Sequence, residues 1–271
     1  MGKERIAVAF AKARAEGRAA FIPYLTAGDP TLDWTGRHLD ALAAAGADVV
    51  ELGIPFSDPV ADGPVNQRAA ERALAAKTTL PGVLDMLAAK RRAGLAVPAV
   101  VFTYANPVAA MGWEAFAKRA AAAGADGALV VDLPVEEAGE HRAACAAAGL
   151  ATVFLAAPTT TDARLAEAVA ASSGFLYFVS RLGVTGVSAA APAGAEAELS
   201  RVKRAAGSLP VAYGFGVSTP EQAAWAARLA DGVVVGSALV RLLEGTDPAA
   251  NAGRLAASAA ALAAAMRRTT C

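Results

Sequence analysis

Cysteine and histidine are scarce: two of each in 271 residues. Cys145 falls in a helical pattern and Cys271 is the last residue, so no disulfide framework is available, which fits a reducing compartment. His38 and His141 lie in different helical patterns among polar neighbours. Both are expected on helix surfaces, and with no His/Asp/Glu group at a strand end a metal-dependent mechanism is disfavoured. Charge of one sign is also missing. The 25 basic side chains equal the 25 acidic ones, and without a basic cluster there is no footprint for nucleic acid. The lysines Lys3, Lys12, Lys77, Lys90, Lys118 and Lys203 all avoid strand ends, which disfavours Schiff-base chemistry. No redox-cofactor motif occurs. The longest alanine-rich run, Leu255 to Met266, is too short to cross a bilayer. The opening residues, Met1 to Ile6, have no signal-peptide pattern, and Ile6 stands where myristoylation would need Ser or Thr. The expectation is a cytoplasmic protein, free of membrane and nucleic acid, working without cofactor or metal.

What is present is a recurring unit. A helical stretch ends in Ala-Gly and an apolar run follows, at Ala45-Gly46 before Val49-Val50, at Ala123-Gly124 before Leu129-Val130 and at Ala148-Gly149 before Val153-Phe154. Glycine just past a helix accepts positive φ. The apolar runs do not alternate with polar residues, as expected of strands buried on both faces. Further strand candidates centre on Phe21-Ile22, Val100-Val101, Leu176-Tyr177, Val211-Ala212 and Val233-Val234, and a helical pattern follows each. Extra helices are expected at Arg5 to Glu16, Val65 to Lys77 and Pro81 to Gly94. Eight β-then-α units predict an α/β fold, a single-domain (β/α)8 TIM barrel over residues 1–271 with extra N-terminal and βα-loop helices. An open doubly wound sheet is the alternative. No Pro-, Gly- or Ser-rich linker divides the chain.

Such barrels place their sites at the C-terminal strand ends. Glu51, between Val50 and Leu52, should lie in apolar surroundings that raise its pKa toward the range useful for proton transfer; a structural carboxylate is the other reading. Asp62 lies in the proline-stiffened loop from Pro55 to Pro64, as a turn residue or a functional one. Asp132 ends the fourth strand. Gly216 and the pair Gly236-Ser237, after the last two strands, suit a phosphate. Tyr24, Tyr104, Tyr177 and Phe215 are available to pack a flat apolar group. Together these point to acid–base chemistry by carboxylates on a phosphorylated substrate.

The runs Phe21 to Pro30, Glu51 to Pro64 and Ser180 to Gly186, with Gly214-Phe215-Gly216 and Gly236-Ser237, resemble the tryptophan synthase α subunit family over nearly the whole chain. The resemblance implies retro-aldol cleavage of indole-3-glycerol phosphate, with Glu51 and Asp62 as the catalytic carboxylates. It places Tyr24, Tyr104 and Tyr177 in the indole pocket, Thr185 on a lid, and Gly186, Gly216, Gly236 and Ser237 at the phosphate. Pro55 and Asp58 match positions at a β-subunit contact in an α2β2 assembly. The chain departs from the family's pattern in the alanine-rich stretch 187–198, and at Tyr213, where a smaller or amide side chain is expected. Other readings are a stand-alone lyase releasing free indole, a degenerate subunit that only activates a partner, and another phosphate-binding barrel isomerase; the last would need its own acid–base set at other strand ends.

Overall fold

The computed structural model describes residues 2–179, 194–214, 216–245 and 247–267. Among these, nine strand segments form one sheet: β1 (Ala20–Thr26), β2 (Val50–Gly53), β3 (Ala99–Thr103), β4 (Gly127–Val130), β5 (Ala151–Thr152), β6 (Phe154–Ala156), β7 (Leu176–Val179), β8 (Val211–Gly214) and β9 (Gly232–Val235). Every pairing is parallel, and β1 pairs with both β2 and β9. Only Val153 separates β5 from β6. β5 pairs with β4, β6 pairs with β7, and the Val153 amide donates to Ala128 at 3.1 Å. The two segments are thus one stave of a closed eight-stave barrel, which excludes the open sheet. At the break the backbone meets two serine hydroxyls brought there by the chain's return through a helix. The Ser173 and Ser172 hydroxyls accept from the Thr152 and Phe154 amides, at 3.0 and 3.2 Å, offering the backbone a partner outside the ladder.

Strand alternation sorts the apolar residues into two cores. Ala20, Ile22, Val49, Val100, Leu129, Val153, Tyr177, Ala212 and Val234 pack together inside the barrel. Their chain neighbours Phe21, Val50, Val101, Ala128, Phe154, Leu176, Tyr213 and Val233 pack outward against the helices. Tyr213 therefore faces away from the lumen. Its ring meets Trp225 edge-on at 5.5 Å, which explains how a bulky residue is tolerated there.

The helices fall at the expected places. The first, Gly2–Ala15, packs Ile6, Ala9, Phe10 and Ala13 against the lumenal cluster and stops the N-terminal end of the barrel. The helices Pro64–Ala75 and Leu80–Arg92 both begin with proline in the first turn, where the missing N–H has no partner to lose. The three glycines of the recurring unit take φ of 99°, 84° and 74° at Gly46, Gly124 and Gly149.

Two of the three units carry an aspartate, Asp48 and Asp126, and Asp231 stands in the same place before β9. Asp48, Asp126 and Asp231 each precede a strand and accept an amide at the start of the stave alongside, from Phe21, Ala99 and Val211 at 2.8, 2.9 and 3.0 Å. Each also holds a cation. Asp48 pairs with Arg18, Asp126 with Arg5 and Arg91 at 2.6 and 2.9 Å, and Asp231 with Lys203 at 3.1 Å.

The histidines differ from the surface placement expected of them. His38 and His141 are buried, at 1% and 3% exposure. Their polar chain neighbours, such as Arg37 and Asp40, face outward, while the helical period turns His38 inward with Thr35, Leu39 and Leu42. Burial pushes both imidazoles down to about 4, so they are neutral at pH 7.

Candidate active site

Among the described residues, β2 is the one stave whose inward face bears a carboxylate. By alternation Val49, Glu51 and Gly53 face the lumen, and Glu51 pairs in register with Tyr24 on β1 and Val100 on β3. Glu51 is 1% exposed. Neither of its carboxylate oxygens has a hydrogen-bond partner among the described residues. Burial alone pushes its carboxyl up to about 8, so it carries a proton at neutral pH and can give it up.

Gly53 is needed beside it. A side chain at this position would collide with the Tyr24 hydroxyl, so the absence of one lets the tyrosine lie across the barrel mouth. The Tyr24 ring meets Phe102 of β3 edge-on at 5.3 Å. Tyr177 lies over Gly214 in the same way.

Asp62 hangs above this floor, on the loop between β2 and the helix Pro64–Ala75. Its Oδ2 accepts from the Tyr104 hydroxyl at 2.7 Å and its Oδ1 from the Asn66 amide at 3.3 Å. Gln67 donates to its main-chain oxygen at 2.8 Å. Asp62 is half-buried, and burial raises its pKa against the lowering effect of the Tyr104 and Asn66 bonds. The helix behind the loop is anchored where Arg72 makes two bonds to the buried Asp29, at 2.8 and 2.7 Å.

Thus Tyr24, Glu51, Asp62, Tyr104 and Tyr177 meet at one end of the barrel. Gly216 and Gly236 follow β8 and β9 at that same end, and the exposed Ser237 begins the short helix Ser237–Arg241. Thr185, Gly186 and Phe215 lie outside the described residues. In the loop after β2, Pro55 is buried within the chain, whereas Asp58 is exposed and Val60 stands 76% exposed. Asn66, Gln67, Gly53 and Phe102 are site neighbours that sequence reasoning did not single out. Two had a usable signal: Gly53 shares the inward face of Glu51 two residues on, and Asn66 follows Asp62 by four residues at the start of a helix.

A buried carboxyl without a partner among the described residues, in an aromatic-lined barrel mouth below a second carboxylate held by neutral donors, marks the chain as a TIM-barrel enzyme with a candidate acid–base pair. Among the described residues no group of three His, Cys, Asp or Glu side chains is placed to hold a metal ion.

Comparison with known proteins narrows that class. The family model described as tryptophan synthase alpha chain matches residues 10–268. The tryptophan synthase alpha chain of Rhizorhabdus wittichii is 52% identical over 264 residues, covering 97% of each chain. That of Phenylobacterium zucineum is 52% identical over 240 residues, 89% of this chain and 86% of its own. Among solved structures, a tryptophan synthase chain of M. tuberculosis superposes with a TM-score of 0.88 at 42% identity, covering 97% of this chain and 98% of that one. The tryptophan synthase subunit alpha of Legionella pneumophila superposes with a TM-score of 0.88 at 38% identity, over the same shares. The chain belongs to the tryptophan synthase alpha chain family, which makes it a carbon–carbon lyase.

Proposed function

We propose that Glu51 and Asp62 are the groups with which this chain cleaves indole-3-glycerol phosphate to indole and glyceraldehyde 3-phosphate, the reaction of the tryptophan synthase α subunit. The observation that carries this is Glu51, a buried carboxyl without a partner among the described residues and protonated near neutrality. It donates its proton to the indole carbon that bears the glycerol chain. That leaves an electron-poor indoleninium ring. The carbon–carbon bond then breaks, its electron pair returns to the ring, and the hydroxyl on the adjacent side-chain carbon loses its proton as it becomes the aldehyde. Glu51, now a carboxylate, serves as the base in these transfers. Asp62 accepts the indole N–H and stabilises the positive charge that develops on that nitrogen.

Tyr24, Tyr104, Tyr177 and Phe215 form the slot for the flat ring. The amides around Gly186, Gly216, Gly236 and Ser237 take the phosphate, and Thr185 belongs to the lid that closes over it. No step calls for a metal or cofactor. The product indole is small and apolar and escapes unless handed on. The partner is a β subunit that consumes it, docked on the loop bearing Pro55 and Asp58 in an α2β2 complex. Residues 1–271 act as one barrel domain in the cytoplasm. No described helix is long and apolar enough to cross a membrane.

The test is indole release from indole-3-glycerol phosphate, measured with and without the β subunit. Slow release alone and strong activation by the partner are expected, because ordering the Asp62 loop and excluding water complete the site. Full turnover without a partner would make the chain a stand-alone lyase. No turnover in either case would overturn the proposal.

A further inference from the structure

The geometry points to Tyr104 as a positioning residue for Asp62, with its hydroxyl tying the loop after β2 to the barrel mouth, and to Asp132 as the group that holds Tyr104 in place. The inference rests on the proposed role of Asp62 and goes beyond it. Tyr104 is 2% exposed and sits between β3 and the helix Ala105–Met111. Its hydroxyl accepts from the Ala61 amide at 3.2 Å and donates to Asp62 Oδ2 at 2.7 Å. Its ring lies against Phe56, at the other end of the same loop, with centroids 5.3 Å apart. One side chain thus touches the start and the end of the loop.

Tyr104 is fixed from the opposite side. Asp132, just beyond β4, accepts the Ala105 amide at 2.7 Å, which pins the backbone immediately after Tyr104. The connection runs across three neighbouring staves, from the end of β4 through the end of β3 to the loop after β2. Within the loop, the short backbone turns Val60 to Asp58 and Asp62 to Pro59, both 2.9 Å, shape it locally but do not attach it to the barrel.

The attachment has a chemical consequence. Among the described residues, Asp62 Oδ2 is engaged by the short Tyr104 bond, while Oδ1 holds only the 3.3 Å bond from Asn66. Oδ1 is therefore the oxygen open to an indole N–H. Donation from Tyr104 also opposes the effect of burial and favours the charged form of Asp62 that the developing cation needs. Other titratable groups near this carboxylate are the Tyr24 phenol and, deeper in the lumen, Glu51. The arginines on the adjoining helix, Arg68 and Arg72, are engaged by Glu244 and Asp29.

Tyr104→Phe keeps the ring and removes both hydroxyl bonds. With the β subunit at saturation, kcat should fall by about 10- to 100-fold, the scale of a misplaced catalytic group. KM should change little, and the acidic limb of the kcat–pH profile should move to higher pH. Asp132→Ala should shift kcat and the limb the same way by less, and Asp132→Asn, which keeps an acceptor oxygen, should restore both. In an Asp62→Asn background, Tyr104→Phe should cost nothing further. An unchanged kcat and acidic limb in Tyr104→Phe would overturn the proposal while leaving the role of Asp62 intact, as would a full additional loss in the Asp62→Asn background. If Tyr104→Phe does not fold, the two Asp132 variants decide by the same readouts. Full turnover by Asp62→Asn alone would remove the underlying role of Asp62, and this proposal with it.

Discussion

Two sets of carboxylates, at opposite ends of the barrel, are held in opposite ways. At the N-terminal end Asp48, Asp126 and Asp231 each accept a strand amide and face at least one cation. At the C-terminal end, among the described residues, Glu51 has no partner and Asp62 is held only by neutral donors, Tyr104 and Asn66. Taking a charge out of water is costly unless it is paired. The paired set fastens neighbouring staves together. The unpaired carboxyl of Glu51 avoids the cost by keeping its proton, which gives it a proton to transfer near pH 7. The aspartates that fasten staves lie at one end and the unpaired carboxyl at the other, within strands of a few residues.

Four experiments sharpen or break this contrast. The largest effect is expected from Glu51→Gln. Indole formation should fall by about 10²- to 10⁴-fold, the usual contribution of a positioned acid–base group, while the fold is at least as stable as the parent at pH 7. A folded variant that keeps most of its activity would show that Glu51 is not the proton donor.

Asp126→Ala should do the reverse. It strands Arg91, whose side chain is only 12% exposed, and leaves the Ala99 amide without its acceptor. Breaking a buried pair from one side costs about 3–5 kcal/mol, to be read from urea unfolding. Turnover per folded molecule at low temperature should be unchanged. Loss of activity without loss of stability would mean that the two ends are not separate in function.

Third is the pH dependence of stability. The Glu51 pKa is raised on folding, from 4.5 to about 8. Its contribution is therefore fully present below pH 4.5, falls as the pH rises toward 8 and levels off above it. Relative to Glu51→Gln, the parent should lose stability across that window with a slope approaching about 1.4 kcal/mol per pH unit. Parallel stability curves for the two proteins would mean that Glu51 is ionised in the fold.

The smallest effect belongs to Lys118→Ala. Its partner Glu114 lies one helical turn away and both side chains are mostly exposed, at 75% and 80%. Solvent screens such a pair, so the unfolding midpoint should not move measurably. A clear drop would show that exposure does not distinguish the ion pairs of this protein.

Much of this was legible in the chain. The Ala-Gly pattern and the apolar runs after it place the staves, because a strand buried on both faces has no choice but to be apolar. Glu51 stands out for the same reason, as a charge where the run should be uninterrupted. Other features were hidden. His38 and His141 looked polar because their immediate neighbours are, although helical periodicity turns both inward. The break at Val153 depends on Ser172 and Ser173, which meet β5 and β6 only after the chain returns through a helix. The aspartates before β2, β4 and β9 were visible as residues, but nothing nearby in sequence indicated what they would hold.

The sequence by itself determined the periodicity of eight units, the apolar character of both barrel faces and the kinds of residue at the strand ends, since these follow from local pattern and from the need to bury apolar surface. The tertiary structure alone decided which carboxylates are paired. Arg5 reaches Asp126 across 121 residues of chain, and Tyr104 reaches Asp62 across 42. Coulombic attraction and hydrogen bonding depend on distance through space, and only closure of the barrel sets that distance. The charge state of an aspartate or glutamate in this protein is therefore a property of the fold, even though its position is a property of the sequence.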